Sequence, residues 1–283
     1  MDTKKESGID IRRVEWFDNR YYRIERNGVA DYYVSVTTKL GCVAKPFLAK
    51  WRGDIGNREA DLRMFEASER GTRIHSAWET LTTGGLVLYQ PHRSPKCLQT
   101  DLDAYMKEYD GHVELVRYQD EMVQLNKLAQ FLEIVKPEIL GSEMTVYSDK
   151  FREAGTLDNL MRIKPGKYAV NGRTPLNIAG GLYVVDLKTG KVVGNEAYRQ
   201  TACYAHAYWE MNKQEKEIAG TLILHTSSSN KAGIPGLGVH LRDKDQITND
   251  LKAYRKISDV WEIENPNPQP QTFEFPALLT LRK

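Results

Sequence analysis

The chain has 283 residues, enough for one large α/β domain or a core with a second lobe, and enough to bury a substantial core. Lys and Arg number 40 against 38 Asp and Glu, a net charge of +2, so composition neither demands nor excludes a polyanionic partner and only local clustering of charge bears on one. Cys42, Cys97 and Cys203 are too scattered for a disulfide framework, a zinc site or an iron–sulfur site, which fits a reducing compartment. The start, Met1-Asp-Thr-Lys-Lys-Glu, lacks a signal-peptide core, and no run approaches the ~20 apolar residues of a membrane span, so a soluble cytoplasmic protein is expected.

Tyr21–Arg26 and Tyr32–Val36 are rich in aromatic and β-branched residues around Asn27-Gly28, which predicts a hairpin. From Pro46 to about Ala67 a helix is expected, with Pro at its first turn and with Lys45, Lys50, Arg52, Arg58 and Arg63 beside Trp51. Those charges fit a solvated face or, second, a lobe turned toward nucleic acid. Glu69–Leu81 carries Ile74, Ala77, Trp78 and Leu81 at helical spacing and stops at Gly84-Gly85; His75 lies one turn after Gly71, which lets another backbone approach. Pro91–Pro95 reads as a loop, Asp101–Tyr109 as a short helix, and Gln119–Val135 as an amphipathic helix ended by Pro137.

A run of strands follows. Glu138–Tyr147 alternates, with Glu143, Thr145 and Tyr147 on one face and Met144 and Val146 on the other. Ala154–Ile163 is apolar but for Asp158, after a glycine that permits a bulge or the close approach of another group. Lys164–Gly180, with Lys164, Lys167 and Arg173, is longer than a hairpin turn needs and reads as an insertion, either a variable loop or a basic flap near substrate. In Leu182–Gly190 four apolar residues run into Asp186-Leu-Lys188, whose charged residues are two apart and share a face. The same tripeptide recurs at Asp250-Leu-Lys252, where it reads as helix surface. A helix over Asn195–Met211 puts Gln200 and Tyr204 one turn apart; Glu217–His225 and Gly238–Arg242 are strands around a Ser227–Lys231 turn; Asp245–Ile263 is a helix, and the proline-rich chain from Asn265 is extended.

Each unusual residue alone equally fits a bland reading: a strand-end charge, a packed histidine, a helix pair. In chain order, however, His75 is followed by Glu143, Asp158 and Asp186 on successive strands, then by Lys188, Gln200 and Tyr204. Acids on neighbouring strands in partial burial are costly unless a cation neutralises them, and carboxylates suit a hard divalent ion, Mg²⁺ or Mn²⁺. Such an ion lowers the pKa of bound water and offsets charge growing on a scissile phosphate. Lys188 stands where it can orient that water or stabilise the transition state.

Gly71-x-x-x-His75, Gly155-Thr-Leu-Asp158, Asp186-Leu-Lys188 and Gln200-x-x-x-Tyr204, in that order and with apolar strands before both acids, resemble the RecB-type branch of the PD-(D/E)XK nuclease superfamily. The resemblance spans about Gly71 to His225. It implies a central mixed sheet flanked by helices (a restriction-endonuclease-like core) over 137–263, a mostly helical N-terminal lobe with a hairpin over 1–136, and an extended tail over 264–283. It implies that His75, Asp158, Asp186 and the Leu187 carbonyl bind Mg²⁺ or Mn²⁺, that Lys188 is the catalytic lysine alongside Asp158 and Asp186, and that Glu143 matches an acid some members carry on the preceding strand. Gln200 and Tyr204 would contact DNA or brace the site, with Arg73 and Lys191 as further substrate contacts. The chain departs from the iron–sulfur members, and its connection between the two acidic strands is longer than usual. The implied activity is exonucleolytic hydrolysis of DNA ends in recombination or repair. With no Gly-x-x-x-x-Gly-Lys-Ser/Thr present, unwinding would need a partner; besides DNA, a helicase or a single-strand-annealing protein is the partner expected. The alternatives are an inactive nuclease fold that binds DNA or a partner, and a structure-selective endonuclease.

Overall fold

A computed structural model gives the structure of residues 9–16, 19–91, 97–213 and 218–270. Three antiparallel strands come first, β1 (Ile9–Trp16), β2 (Asn19–Arg26) and β3 (Val29–Ser35). The β2–β3 turn is the expected one: Asn27 (φ 52°) and Gly28 (φ 80°) both take the positive φ that a two-residue hairpin loop requires. These strands correct the expectation of a mostly helical N-terminal lobe. β3 pairs in parallel with a strand of the main sheet through Val34↔Glu153 and Ser35↔Ala154, so the N-terminus extends that sheet.

The strand ends one residue earlier than expected because Ser35 caps a short helix, α1 (Val36–Leu40), accepting from the Thr37 N–H. Next come α2 (Pro46–Ile55) and α3 (Asn57–Thr82). The helix expected to reach Ala67 breaks instead at Gly56, whose φ of 84° suits glycine, while Ala67-Ser68-Glu69 contains nothing that stops a helix, so α3 runs on for 26 residues. Two four-residue strands, too short for periodicity to reveal, form a parallel pair: β4 (Leu86–Tyr89) and β5 (Val113–Val116). Between them lies α4 (Cys97–Glu108); of the expected Pro91–Pro95 loop, residues 92–96 fall outside the described residues. α5 (Gln119–Val135) ends where Pro137 bars Lys136 from the helical region, and Lys136 turns left-handed at φ 48°.

The rest of the sheet is β6 (Glu138–Ser148), β7 (Glu153–Ile163), β10 (Gly181–Lys188), β11 (Ile218–His225) and β12 (Gly238–Arg242). Inside the Lys164–Gly180 connection sits a small antiparallel pair of its own, β8 (Gly166–Tyr168) with β9 (Leu176–Ile178). α6 (Asn195–Met211) links β10 to β11, which run parallel, and α7 (Lys244–Glu264) closes the fold behind an Asp243/Gln246 capping box. Glu217 and residues 271–283, the larger part of the expected extended tail, lie outside the described residues. Among the described residues no helix is long and apolar enough to cross a membrane.

The sheet is mixed and covered on both faces, an α/β arrangement. Alternation along β10 assigns its residues to two cores. Tyr183, Val185 and Leu187 pack with Ile74 and Trp78 of α3 and Leu128 and Phe131 of α5. Leu182 and Val184 pack with Cys203, Tyr204 and Tyr208 of α6 and Tyr254 of α7.

The pairing of β7 positions the site. One of its edges is taken along its length by β6. The other is shared: β10 pairs with Asn159–Ile163 and β3 with Glu153 and Ala154. Between these two partners, Gly155 to Asp158 has no strand beside it, and the sheet forks there.

Candidate active site at the fork of the sheet

The three acids lie in one row across three strands. In β6–β7, Ser142 faces Asn159 and Met144 faces Leu157, which sets Glu143 opposite Asp158. In β7–β10 the last pair is Val185↔Asn159, and one step further Asp186 comes opposite Asp158. The ladder stops at that step because the Leu187 amide turns to the Asp158 side chain, donating to Oδ2 at 2.5 Å.

A local irregularity delivers Glu143 and Asp158 together. A regular strand puts Ser142 and Met144 on one face, yet Ser142 hydrogen-bonds Thr82 of α3 at 2.8 Å whereas Met144 packs in the core under α6. Leu157 and Asn159 are split across the sheet in the same way. The phase changes at Glu143, a non-glycine residue at φ 48°, a conformation of the kind that clusters at functional sites. Behind it a buried polar node fixes the geometry. The Trp78 indole N–H donates to Asn159 Oδ1, and the Asn159 amide donates to Ser142 Oγ at 2.8 Å and Thr82 Oγ1 at 3.2 Å. Asn159 and Ser142 are the chain neighbours of Asp158 and Glu143, so the node ties α3 to both acid-bearing strands.

His75 comes from the same helix, one residue beyond buried Ile74, and its Nδ1 stands 3.4 Å from Asp158 Oδ1. Gly71 allows this approach: a Cβ there would meet the Thr189 hydroxyl at 3.2 Å, in the turn that follows Lys188. Lys188 Nζ reaches Asp186 Oδ2 at 2.8 Å and donates to Gln200 Oε1 at 3.2 Å, while Gln200 donates to the Tyr204 hydroxyl at 2.8 Å. Tyr204 fills the unpaired stretch of β7, lying so close to Gly155 that any Cβ there would collide with its ring. Gly155 is therefore needed for a side chain to enter the fork, not for a bulge.

Burial and mutual repulsion push the Glu143 carboxyl up to about 7, Asp158 being its strongest charged neighbour. Burial raises Asp186 to about 6 against the pull of Lys188. Asp158 is also buried, yet His75, Lys188 and the Leu187 N–H outweigh desolvation and lower its pKa. Burial works against charge on Lys188 and His75 too, but the acids prevail and both are raised, Lys188 chiefly by Asp186 and His75 by Asp158. The cluster is thus short of positive charge: Asp158 is satisfied as an anion and the two acids flanking it are not.

His75, Glu143 and Asp158 offer ligand atoms within 4.8 Å of one another and can hold a metal ion. Asp186, expected as a ligand with His75 and Asp158, stands outside this tight group, and Glu143 takes the third place in it. The Asp186 Oδ2 is buried without a hydrogen bond, since the Lys188 ammonium approaches it outside hydrogen-bond geometry. A buried carboxylate answered only by one lysine ammonium, beside a nitrogen-and-carboxylate group, fits a hard divalent cation.

Of the other expected contacts, Arg73 is engaged away from the acids, donating twice to buried Glu121 Oε1, at 2.9 and 2.7 Å, and so bracing α3 on α5. Lys191 is exposed at the rim of a neighbouring cleft. The second Asp-x-Lys lies on α7, where Asp250 pairs with Arg242 at 3.3 Å. Sequence reasoning missed the Trp78–Asn159–Ser142–Thr82 node; the signal was an asparagine directly after Asp158 inside an apolar strand. No protein-family model matches the chain, and a search of the curated proteins finds no match.

Proposed function

We propose that this chain is a divalent-metal-dependent deoxyribonuclease of the RecB-like branch of the PD-(D/E)XK superfamily, with a restriction-endonuclease-like core, acting as an exonuclease on DNA ends in recombination or repair in the cytoplasm. One observation carries the reading. Glu143, Asp158 and Asp186 form a single row at the fork of the sheet, with His75 against Asp158 and Lys188 against Asp186. In this reading His75, Glu143, Asp158 and Asp186 hold Mg²⁺ or Mn²⁺. The ion, when bound, supplies an acidified water and offsets charge on the scissile phosphate.

The chain's own residues do the rest. Lys188 keeps its proton at neutral pH because Asp186 and Asp158 stabilise the ammonium, so it acts as a cation toward the phosphate and the attacking water, not as a base. Gln200 holds Lys188 from the side away from Asp186, and Tyr204 holds Gln200. Asp158 fixes the His75 ring and, through the Leu187 amide, the end of β10.

End-labelled linear DNA and covalently closed circular DNA, each incubated with Mg²⁺ and with chelator, test this. Linear DNA is degraded only with Mg²⁺ and circles are spared. Asp186→Ala abolishes cleavage and Lys188→Ala lowers it by about 10²–10³-fold, both with the wild-type circular dichroism spectrum. Normal degradation by either variant refutes the site.

A further inference from the structure

Beside the acids a cleft of about 800 Å³ opens between α3, the start of α5 and the turns that follow β10 and β11. It is continuous with the site through backbone: the Thr226 N–H donates to the Lys188 carbonyl at 3.0 Å, and Ser227 Oγ donates to the Thr189 carbonyl at 2.8 Å. Arg70, Lys127 and Lys191 line it, together with the neutral donors Gln124, Thr226 and Ser227. Asp120 is the single acid in the lining, and it already faces Arg70 at 3.7 Å.

The placement of two lysines, in a concave wall joined to the acid-bearing strands, sets the charge of this cleft. Lys127 and Lys191 have no carboxylate partner among the described residues. Lys127 is half-buried, its ammonium donating to the Thr226 carbonyl at 2.8 Å beside Gly236. A carbonyl leaves its charge uncompensated, in a concave wall where an anion gains most. Lys191 stands three residues past Lys188, within about 11 Å along the chain, a reach of a few nucleotides at the ~3.4 Å rise per strand of DNA.

We infer that this cleft is a second phosphate-binding subsite, in which Lys127 and Lys191, with Arg70 behind them, hold a phosphate of the same DNA strand a few nucleotides from the one positioned at Asp158 and Asp186. The inference rests on the nuclease reading. The ligand chemistry is a phosphate group of a single strand, either an internal diester or a 5′-terminal monoester.

Fluorescence anisotropy of the full chain with single-stranded oligonucleotides, one 5′-phosphorylated and one 5′-hydroxyl, in chelator to prevent turnover, tests it across a salt series. Lys127→Gln with Lys191→Gln removes this one phosphate contact, weakening binding and reducing the slope of log K against log salt by about 0.7, at ~0.7 per phosphate contact. Lys191→Gln alone, whose exposed side chain leaves folding untouched, weakens binding and reduces the slope by part of that amount. Equal effects on both oligonucleotides identify an internal diester; an effect confined to the phosphorylated one identifies a terminal phosphate. Unchanged affinity and slope in both variants, with wild type binding DNA normally, overturn the subsite and leave the nuclease reading standing. A wild-type protein that binds neither oligonucleotide overturns both.

Discussion

Glu153 and Asp158 stand five positions apart on β7, the first buried and the second largely so, and their surroundings are opposite. Glu153 is answered on every side. It accepts from the Tyr254 hydroxyl at 2.9 Å and from both terminal nitrogens of Arg255, one of them at 3.1 Å, with Lys39 at 3.5 Å. Lys39, itself buried, donates on to Ser258 at 2.9 Å and Glu262 at 2.7 Å, so the network joins α1, β7 and α7. At Asp158 three acids share one lysine and one histidine, and an oxygen of Asp186 is left without a hydrogen bond. Charge that is fully matched inside a protein holds elements together, whereas charge left unmatched is poised for a ligand. One strand does both, and the fork lies between.

The contrast is broken most severely from the Glu153 end. Glu153→Gln leaves Arg255 without its anion and Lys39 with Glu262 alone, and lowers stability by about 3–5 kcal/mol in urea unfolding. At the other end Glu143→Gln and Asp186→Asn remove charges the fold disfavours, so both variants are at least as stable as wild type at pH 8 without metal. Asn159→Leu sharpens the difference from behind. It strands the Trp78 N–H and two hydroxyls, costs about 1–3 kcal/mol, and weakens Mn²⁺ binding by calorimetry, while Asn159→Asp retains the acceptor for Trp78 and part of the affinity.

The pH dependence probes the same contrast without a substitution. Glu143 gives up its proton near 4.5 when unfolded and near 7 when folded, and Asp186 near 3.8 and near 6. Within those windows the folded state binds more protons at both acids, so their contribution to the stability of the metal-free protein falls as pH rises from about 4 to 7. Denaturant midpoints across that range show a fall that is shallower in Glu143→Gln.

Much of the site was legible because its residues violate the pattern of their elements. Asp158 and Asp186 interrupt apolar strands, and Gly71 and Gly155 mark places where side chains of other elements approach. The β2–β3 hairpin and α5, α6 and α7 followed from turn chemistry and periodicity. What escaped was set by tertiary pairing. Nothing in Ile9–Ser35 announces that it joins the distant β7, which turned an expected helical lobe into a strand-rich one. The phase change at Glu143 is equally silent, since a strand sequence carries no mark of the one residue that goes left-handed, and with it went the prominence of Glu143 over Asp186 in the tight metal-ligating group. Arg73 looked like a free cation until buried Glu121 claimed it.

The account turns on whether the unmatched acids at the fork bind a divalent ion. Isothermal titration of Mn²⁺ into the metal-free protein at pH 8 tests this directly. Saturable binding in wild type and in Glu143→Gln with reduced affinity, lost in Asp158→Ala, is the predicted result. Absence of binding in wild type, or binding that survives in Asp158→Ala unchanged, contradicts it.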